Sequence, residues 1–179
     1  VKAIMGTVRI QRRNKLLLLI MLLMVAFSVS ARGVYQTDDA FLSETFDGNV
    51  PKSSVIWIKG DLRKTVADIL SHKYSGMRIR YWQQNERSAW ILNEIGKEQP
   101  ITFGVVIDAG KVAHVKVLAF RESRGWEIRY PAFTQQFSNA ALVGLELDRH
   151  IDGVSGATLS VWAMTAVTRL ALYLDTLTT

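Results

Sequence analysis

Residues 152–158, Asp152-Gly153-Val154-Ser155-Gly156-Ala157-Thr158, bring an acid, two hydroxyls and two glycines into seven consecutive positions. Beyond them, apolar residues recur at Leu159, Trp162, Ala163, Ala166, Val167, Leu170, Ala171 and Leu174, the three-and-four spacing of a helix packed along one face. The turn therefore delivers the chain into a helix N-terminus at Thr158. There the first N–H groups have no partner within the helix, and the aligned peptide dipoles add partial positive charge. An anion at such an end gains roughly 0.3–1 kcal/mol, and about 2 when partly buried. The chemistry this spacing predicts is the seating of a phosphate. Gly153 and Gly156 let a ligand approach the main chain, Ala157 keeps the wall small, and Thr158 adds a hydroxyl at the same place.

Two other chemistries use the same residues. Ser155 and Thr158 are good capping hydroxyls for the helix that follows. Gly153-Val154-Ser155-Gly156-Ala157 also approximates the Gly-x-Ser-x-Gly elbow of hydrolases. Such enzymes need an acid and then a histidine after the serine, whereas the last histidine here is His150, which argues against that reading.

The elements that must position this turn are read from alternation and turn signals. Val55-Ile56-Trp57-Ile58 reads as a short strand or an apolar anchor. From Asp61, as N-cap, a helical stripe of Leu62, Val66, Ile69 and Leu70 ends near His72. Residues 77–82 alternate as a strand and turn through Gln84-Asn85-Glu86-Arg87 into Ala89-Trp90-Ile91-Leu92. A second hairpin runs from Ile101 to Ile107, turns at Asp108-Ala109-Gly110-Lys111, and returns from Val112 to Phe120 with Ala113, Val115, Val117 and Ala119 on one face. Pro131 opens a short helix whose Phe133 and Phe137 face inward. Together these predict an α+β domain, an antiparallel sheet packed with helices, over residues 55–179. Residues 33–54, polar and containing Gly48 and Pro51, read as a linker with little regular structure.

At 179 residues the chain supports one domain with a real core and a short appendage. It has no cysteine, which excludes disulfides, thiolate metal sites and cysteine nucleophiles. His72, His114 and His150 lack ligand-like spacing, so no metal site is expected. The net charge of +6 is carried by one end: Lys2, Arg9, Arg12, Arg13, Lys15 and Arg32 lie in residues 1–32, which hold no acid, and the remainder is balanced. A nucleic-acid binder should carry its basic patch on the folded domain, so no nucleic-acid partner is expected. Residues 16–27 are apolar and run on through Ser28-Val29-Ser30-Ala31. As a helix they reach about 24 Å at roughly 1.5 Å per residue, short of a ~30 Å hydrocarbon core unless Lys15 and Arg32 snorkel. They also fit a signal peptide cleaved after Ala31. The expectation taken is one N-terminal transmembrane helix within residues 1–32, its basic end cytoplasmic and the chain from about Gly33 facing outward.

The return strand runs into a loop, and here a family resemblance appears. Lys111-Val112-Ala113-His114-Val115-Lys116-Val117-Leu118 followed by Glu122-Ser123-Arg124-Gly125 resembles a strand and Glu-Ser/Thr-x-Gly loop of the FMN-binding domain family. Asp152-x-x-Ser155-Gly156-Ala157-Thr158 resembles that family's flavinylation motif. Members include flavin-carrying subunits of the sodium-pumping NADH:quinone reductase and of Rnf-type complexes. The resemblance covers about residues 105–175, and Arg124 stands where many members have Pro.

The resemblance implies FMN attached to Thr158 as a phosphoester by a flavin transferase that uses FAD. It implies a cofactor site of Thr158, Ser155, Gly156, Ala157, Asp152, Glu122, Ser123 and Gly125, with Asp152 serving attachment rather than the finished cofactor. Trp126 stands where it would flank a flavin ring. The implied protein relays electrons between redox partners of a membrane complex and is not a stand-alone enzyme. It sits in a bacterial inner membrane as a single-pass protein with its C-terminal domain in the periplasm. The alternatives are a structural or assembly subunit that keeps the fold without a redox role, and a reductase with its own small substrate.

Overall fold

The computed structural model describes residues 33–178, so the expected transmembrane helix lies outside the described residues. Among those described, no helix is long and apolar enough to cross a membrane. In chain order the elements are β1 (Gly33–Val34), α1 (Asp38–Thr45), β2 (Ser53–Trp57), α2 (Gly60–Leu70), β3 (Arg78–Gln84), β4 (Arg87–Ile95), β5 (Pro100–Asp108) and β6 (Lys111–Phe120). Then come α3 (Pro131–Thr134), between 3-10 turns at Trp126–Arg129 and Gln135–Phe137, β7 (Leu142–Val143), β8 (Glu146–Leu147) and α4 (Thr158–Asp175). The expected α+β class holds: β1-β6-β5-β4-β3-β2 is one six-stranded sheet with every pairing antiparallel.

The sheet is covered on both faces. On one, α4 and α2 bury Trp90, Ile101, Phe103, Val105, Ile107, Val115 and Val117 in the main core. On the other, α1 packs Phe41, Leu42 and the adjoining Phe46 over Ala89, Val106 and Leu118. Double coverage explains why β5 reads Ile-Thr-Phe-Gly-Val-Val-Ile with almost no polar interruption. Its turn into β6 places Ala109 at φ 49° and Gly110 at φ 72°, the paired positive values of the turn that matches strand twist.

Four expectations are corrected. The stretch read as a linker contains a helix, because Thr37 Oγ1 caps Ala40 N at 3.2 Å and Phe41 is fully buried; one helical turn of apolar residues is too short to show a period. Asp61 is not the N-cap of α2; Lys59 holds that position, and Asp61 lies in the first turn. The β5–β6 register slips twice, opposite Thr102/Phe103 and opposite Val106/Ile107 of β5. These bulges break strict alternation, so Val112, Val115, Val117 and Phe120 share the main core while Ala113 is exposed. Finally, α4 buries Ala163, Val167, Leu170, Ala171 and Leu174 as expected, but its stripe does not include the first two apolar positions. Leu159 is 40% and Trp162 65% exposed, whereas Val161, Met164, Val167, Leu170 and Leu174 are buried. A helix apolar nearly all round fits more than one stripe, and packing chooses among them.

Candidate functional site

The helix start at Thr158 forms as the sequence predicts, but without a hydroxyl cap. Ala157 is the N-cap and no side chain bonds to the first-turn amides. Ser155 and Thr158 are therefore not capping residues. The chain arrives through a turn closed by Ala157 N donating to Val154 O at 2.9 Å, with Gly156 at φ 79° in its third position. That position needs a left-handed conformation, which glycine adopts without strain. Ala157 is buried, and Thr158 beside it is exposed.

Thr158 opens onto a cavity of about 550 Å3 lined by Lys97, Glu122, Ser123, Arg124, Gly156, Ala157, Leu159 and Ser160. Three segments far apart in the chain meet there: the β4–β5 turn, the loop after β6, and the start of α4. The volume falls within the roughly 300–1,000 Å3 of cavities that hold small ligands. On its other side Thr158 borders a smaller space of about 350 Å3 with Trp162 and His150, which the loop after β6 does not reach.

Two contacts hold the three segments together. Glu122 is only 5% exposed, and its Oε1 accepts from the amides of Lys97, Glu98 and Gln99 at 2.6, 2.5 and 2.7 Å. Three amide donors converge on one carboxylate oxygen. Glu122 thus clamps the β4–β5 turn onto the loop after β6. Gly125, at φ 87°, presses that loop against α4; a Cβ there would meet Ser160 Oγ at 2.6 Å and Ala157 Cβ at 3.3 Å.

Of the eight site residues read from the sequence, Thr158, Gly156, Ala157, Glu122 and Ser123 line the cavity, and Gly125 shapes it from behind. Ser155 and Asp152 do not line it. Asp152 donates its amide to Gln136 Oε1 at 2.7 Å, while its carboxylate stands in solvent 3.8 Å from His150 Nε2, with both side chains more than four-fifths exposed. Trp126 does not line the cavity either. It packs edge-on to Tyr130 with centroids 5.4 Å apart and under the Arg129 guanidinium at 5.2 Å. Sequence reasoning left Lys97, Arg124, Leu159 and Ser160 out of the site; Arg124 stood within the loop motif, and only their neighbours in the fold mark the others.

A doubly covered antiparallel sheet whose last helix starts uncapped beside a ligand-sized cavity is an arrangement with room and polarity for a phosphorylated small molecule. The chain is narrower in kind than that: residues 96–173 match the model of the FMN-binding domain family, a span that contains every residue lining the larger cavity. That match supports a flavin-binding protein. No curated protein and no solved structure matches the chain. The residues fit the cofactor. The uncapped amides of α4 suit its phosphate, and the cavity suits its rings and ribityl chain.

Proposed function

We propose that the protein is an electron carrier whose FMN is esterified through its phosphate to Thr158 Oγ. One observation carries this reading: an exposed threonine hydroxyl, an uncapped helix N-terminus and the Glu122–Ser123–Arg124 loop converge on a single cavity. To make the ester, Thr158 Oγ bonds to the flavin-side phosphorus of FAD. The pyrophosphate P–O bond breaks, adenosine monophosphate leaves, and the hydroxyl proton passes to solvent. The product is a diester with one negative charge, less than the −1.5 to −2 or so of a phosphate monoester, and so easier to hold at the helix end.

The chain's residues then have distinct duties. The α4 amides receive the diester oxygens. Glu122 and Gly125 keep the walls in place. Asp152, outside the cavity, does not repel the phosphate and is open to a flavin transferase or to a metal ion that assists attachment. The bound flavin supplies the redox chemistry, and the protein supplies orientation and electrostatics.

Membrane anchoring completes the proposal. The basic end and the largely apolar residues 16–31 tether the domain to a bacterial inner membrane with its flavin on the periplasmic side, where a covalent bond prevents loss of a cofactor that is hard to replace. Its partners are the transferase and the redox proteins of a membrane complex. Intact mass of protein made in cells with an active transferase tests the tether. The expected result is an increase equal to FMN less one water, absent in Thr158→Ala. Unmodified wild-type protein from such cells refutes it and favours an assembly subunit.

A further inference from the structure

Lys97 and Arg124 are the cations lining the larger cavity, and Glu122 is the acid among its lining residues. The acid's Oε1 is directed into the β4–β5 turn, where three amides engage it. Lys97 Nζ stands 3.5 Å from Glu98 Oε1 with both side chains largely in solvent, a pair worth little. Arg121, just before the cavity, is occupied: it donates to Pro100 O at 3.1 Å and Thr102 Oγ1 at 3.0 Å. Arg124 is exposed, and no hydrogen bond or ion pair engages it among the described residues. The helix end adds charge of the same sign, and Asp152 is elsewhere. With Glu122 Oε1 turned to the β4–β5 turn and Lys97 beside Glu98, Arg124 is the lining cation that faces a ligand without a protein partner among the described residues.

We propose that Arg124 binds the isoalloxazine of the flavin carried on Thr158 and stabilises its reduced form with N1 deprotonated, raising the cofactor's reduction potential. This deepens the reading above and rests on it. Two-electron reduction with one proton taken up at N5 leaves a negative charge shared by N1 and the neighbouring carbonyl. The electrons come from a redox partner protein, or from a reduced dye in the assay. A guanidinium suits this duty because it stays charged at every working pH and its forked N–H groups span adjacent acceptors. Lys97, a point charge on a flexible stem across the same cavity, adds to the field without that geometry.

The test uses full-length protein flavinylated by its transferase, with potentials titrated spectrophotometrically against reference dyes as a function of pH. In Arg124→Gln the pH at which reduced N1 loses its proton rises by about one unit. Above it, the equilibrium constant for two-electron reduction falls about tenfold, which is about 30 mV. Arg124→Lys retains most of the wild-type potential, and Lys97→Gln shifts it less than Arg124→Gln does. A fully flavinylated Arg124→Gln with unchanged potential and unchanged N1 transition overturns the proposal while leaving the tether standing. An Arg124→Gln that folds by circular dichroism yet accepts no flavin overturns it too, by moving the residue's role to attachment. Absence of flavin mass in the wild type removes the tether and this inference together.

Discussion

Replacing Gly125 by alanine tests whether the loop after β6 and the start of α4 are truly pressed together. Gly125 sits at φ 87°, a conformation that costs an alanine about 1–2 kcal/mol. The added methyl would also lie 2.6 Å from Ser160 Oγ and 3.3 Å from both Ser160 Cβ and Ala157 Cβ. The hydroxyl can rotate away, but the two Cβ atoms are fixed by the first turn of α4. Overpacking of that kind adds about 1–3 kcal/mol, so Gly125→Ala should lose about 2–5 kcal/mol in all. Gly156→Ala is the control: it has a similar φ of 79° and nothing within 4 Å of the added methyl, so only the backbone cost of about 1–2 kcal/mol applies. Urea unfolding followed by tryptophan fluorescence, at matched m values, measures both. Adding Ser160→Ala to Gly125→Ala should recover part of the loss and leave the rest, a coupling that a double-mutant cycle isolates. Equal destabilisation by the two glycine replacements, with no coupling to Ser160, would falsify the close contact and with it the account of how the cavity wall is held.

Two further outcomes follow from the same contacts. Glu122→Ala leaves the amides of Lys97, Glu98 and Gln99 without their acceptor, for a loss of about 2–4 kcal/mol. Those three amides should exchange hydrogen much faster by mass spectrometry or NMR; unchanged exchange rates would show that the carboxylate is not their protector. Asp175 is 3% exposed and accepts from Ser88 Oγ at 2.5 Å, and burial pushes its carboxyl above the usual value, partly offset by that bond. A raised folded-state pKa gives stability that is full below the unfolded value of 3.8 and lost as pH rises through the folded one. Asp175→Asn, which keeps an acceptor for Ser88, should therefore be more stable than wild type at neutral pH. The advantage should vanish toward acid, and denaturation midpoints at two pH values decide it.

What the sequence disclosed was local. The β5–β6 hairpin, the helix start at Thr158 and the short helix at Pro131 depend on neighbours a few positions away, and each is found where its turn residues place it. The α1 helix was hidden because its buried residues, Phe41, Leu42 and Thr45, are too few to display a period among polar neighbours. The inward face of α4 was legible from Ala163 onward and wrong only at Leu159 and Trp162, because the sheet, not the sequence, selects which apolar stripe to cover. In the site, the two motifs were legible as residues but not as one place. Their union depends on Gly125 meeting Ser160 and on a carboxylate reaching a turn more than twenty residues earlier. No periodicity carries such a contact, which is why Lys97 escaped notice.

For the proposed tether, the same geometry favours Thr158 over Ser155, although both are exposed hydroxyls three positions apart. Ser155 lies in the turn before Gly156 and does not line the cavity. Thr158 is the first residue of an 18-residue helix whose Val161, Met164 and Val167 are locked into the core. A ligand fixed there would be held by a helix packed into the core while the reacting oxygen stays open to another protein, and positions on helices are held more sharply than positions on loops. Accessibility for attachment and rigidity for electron transfer are usually opposed. The first turn of a buried helix, left uncapped, reconciles them.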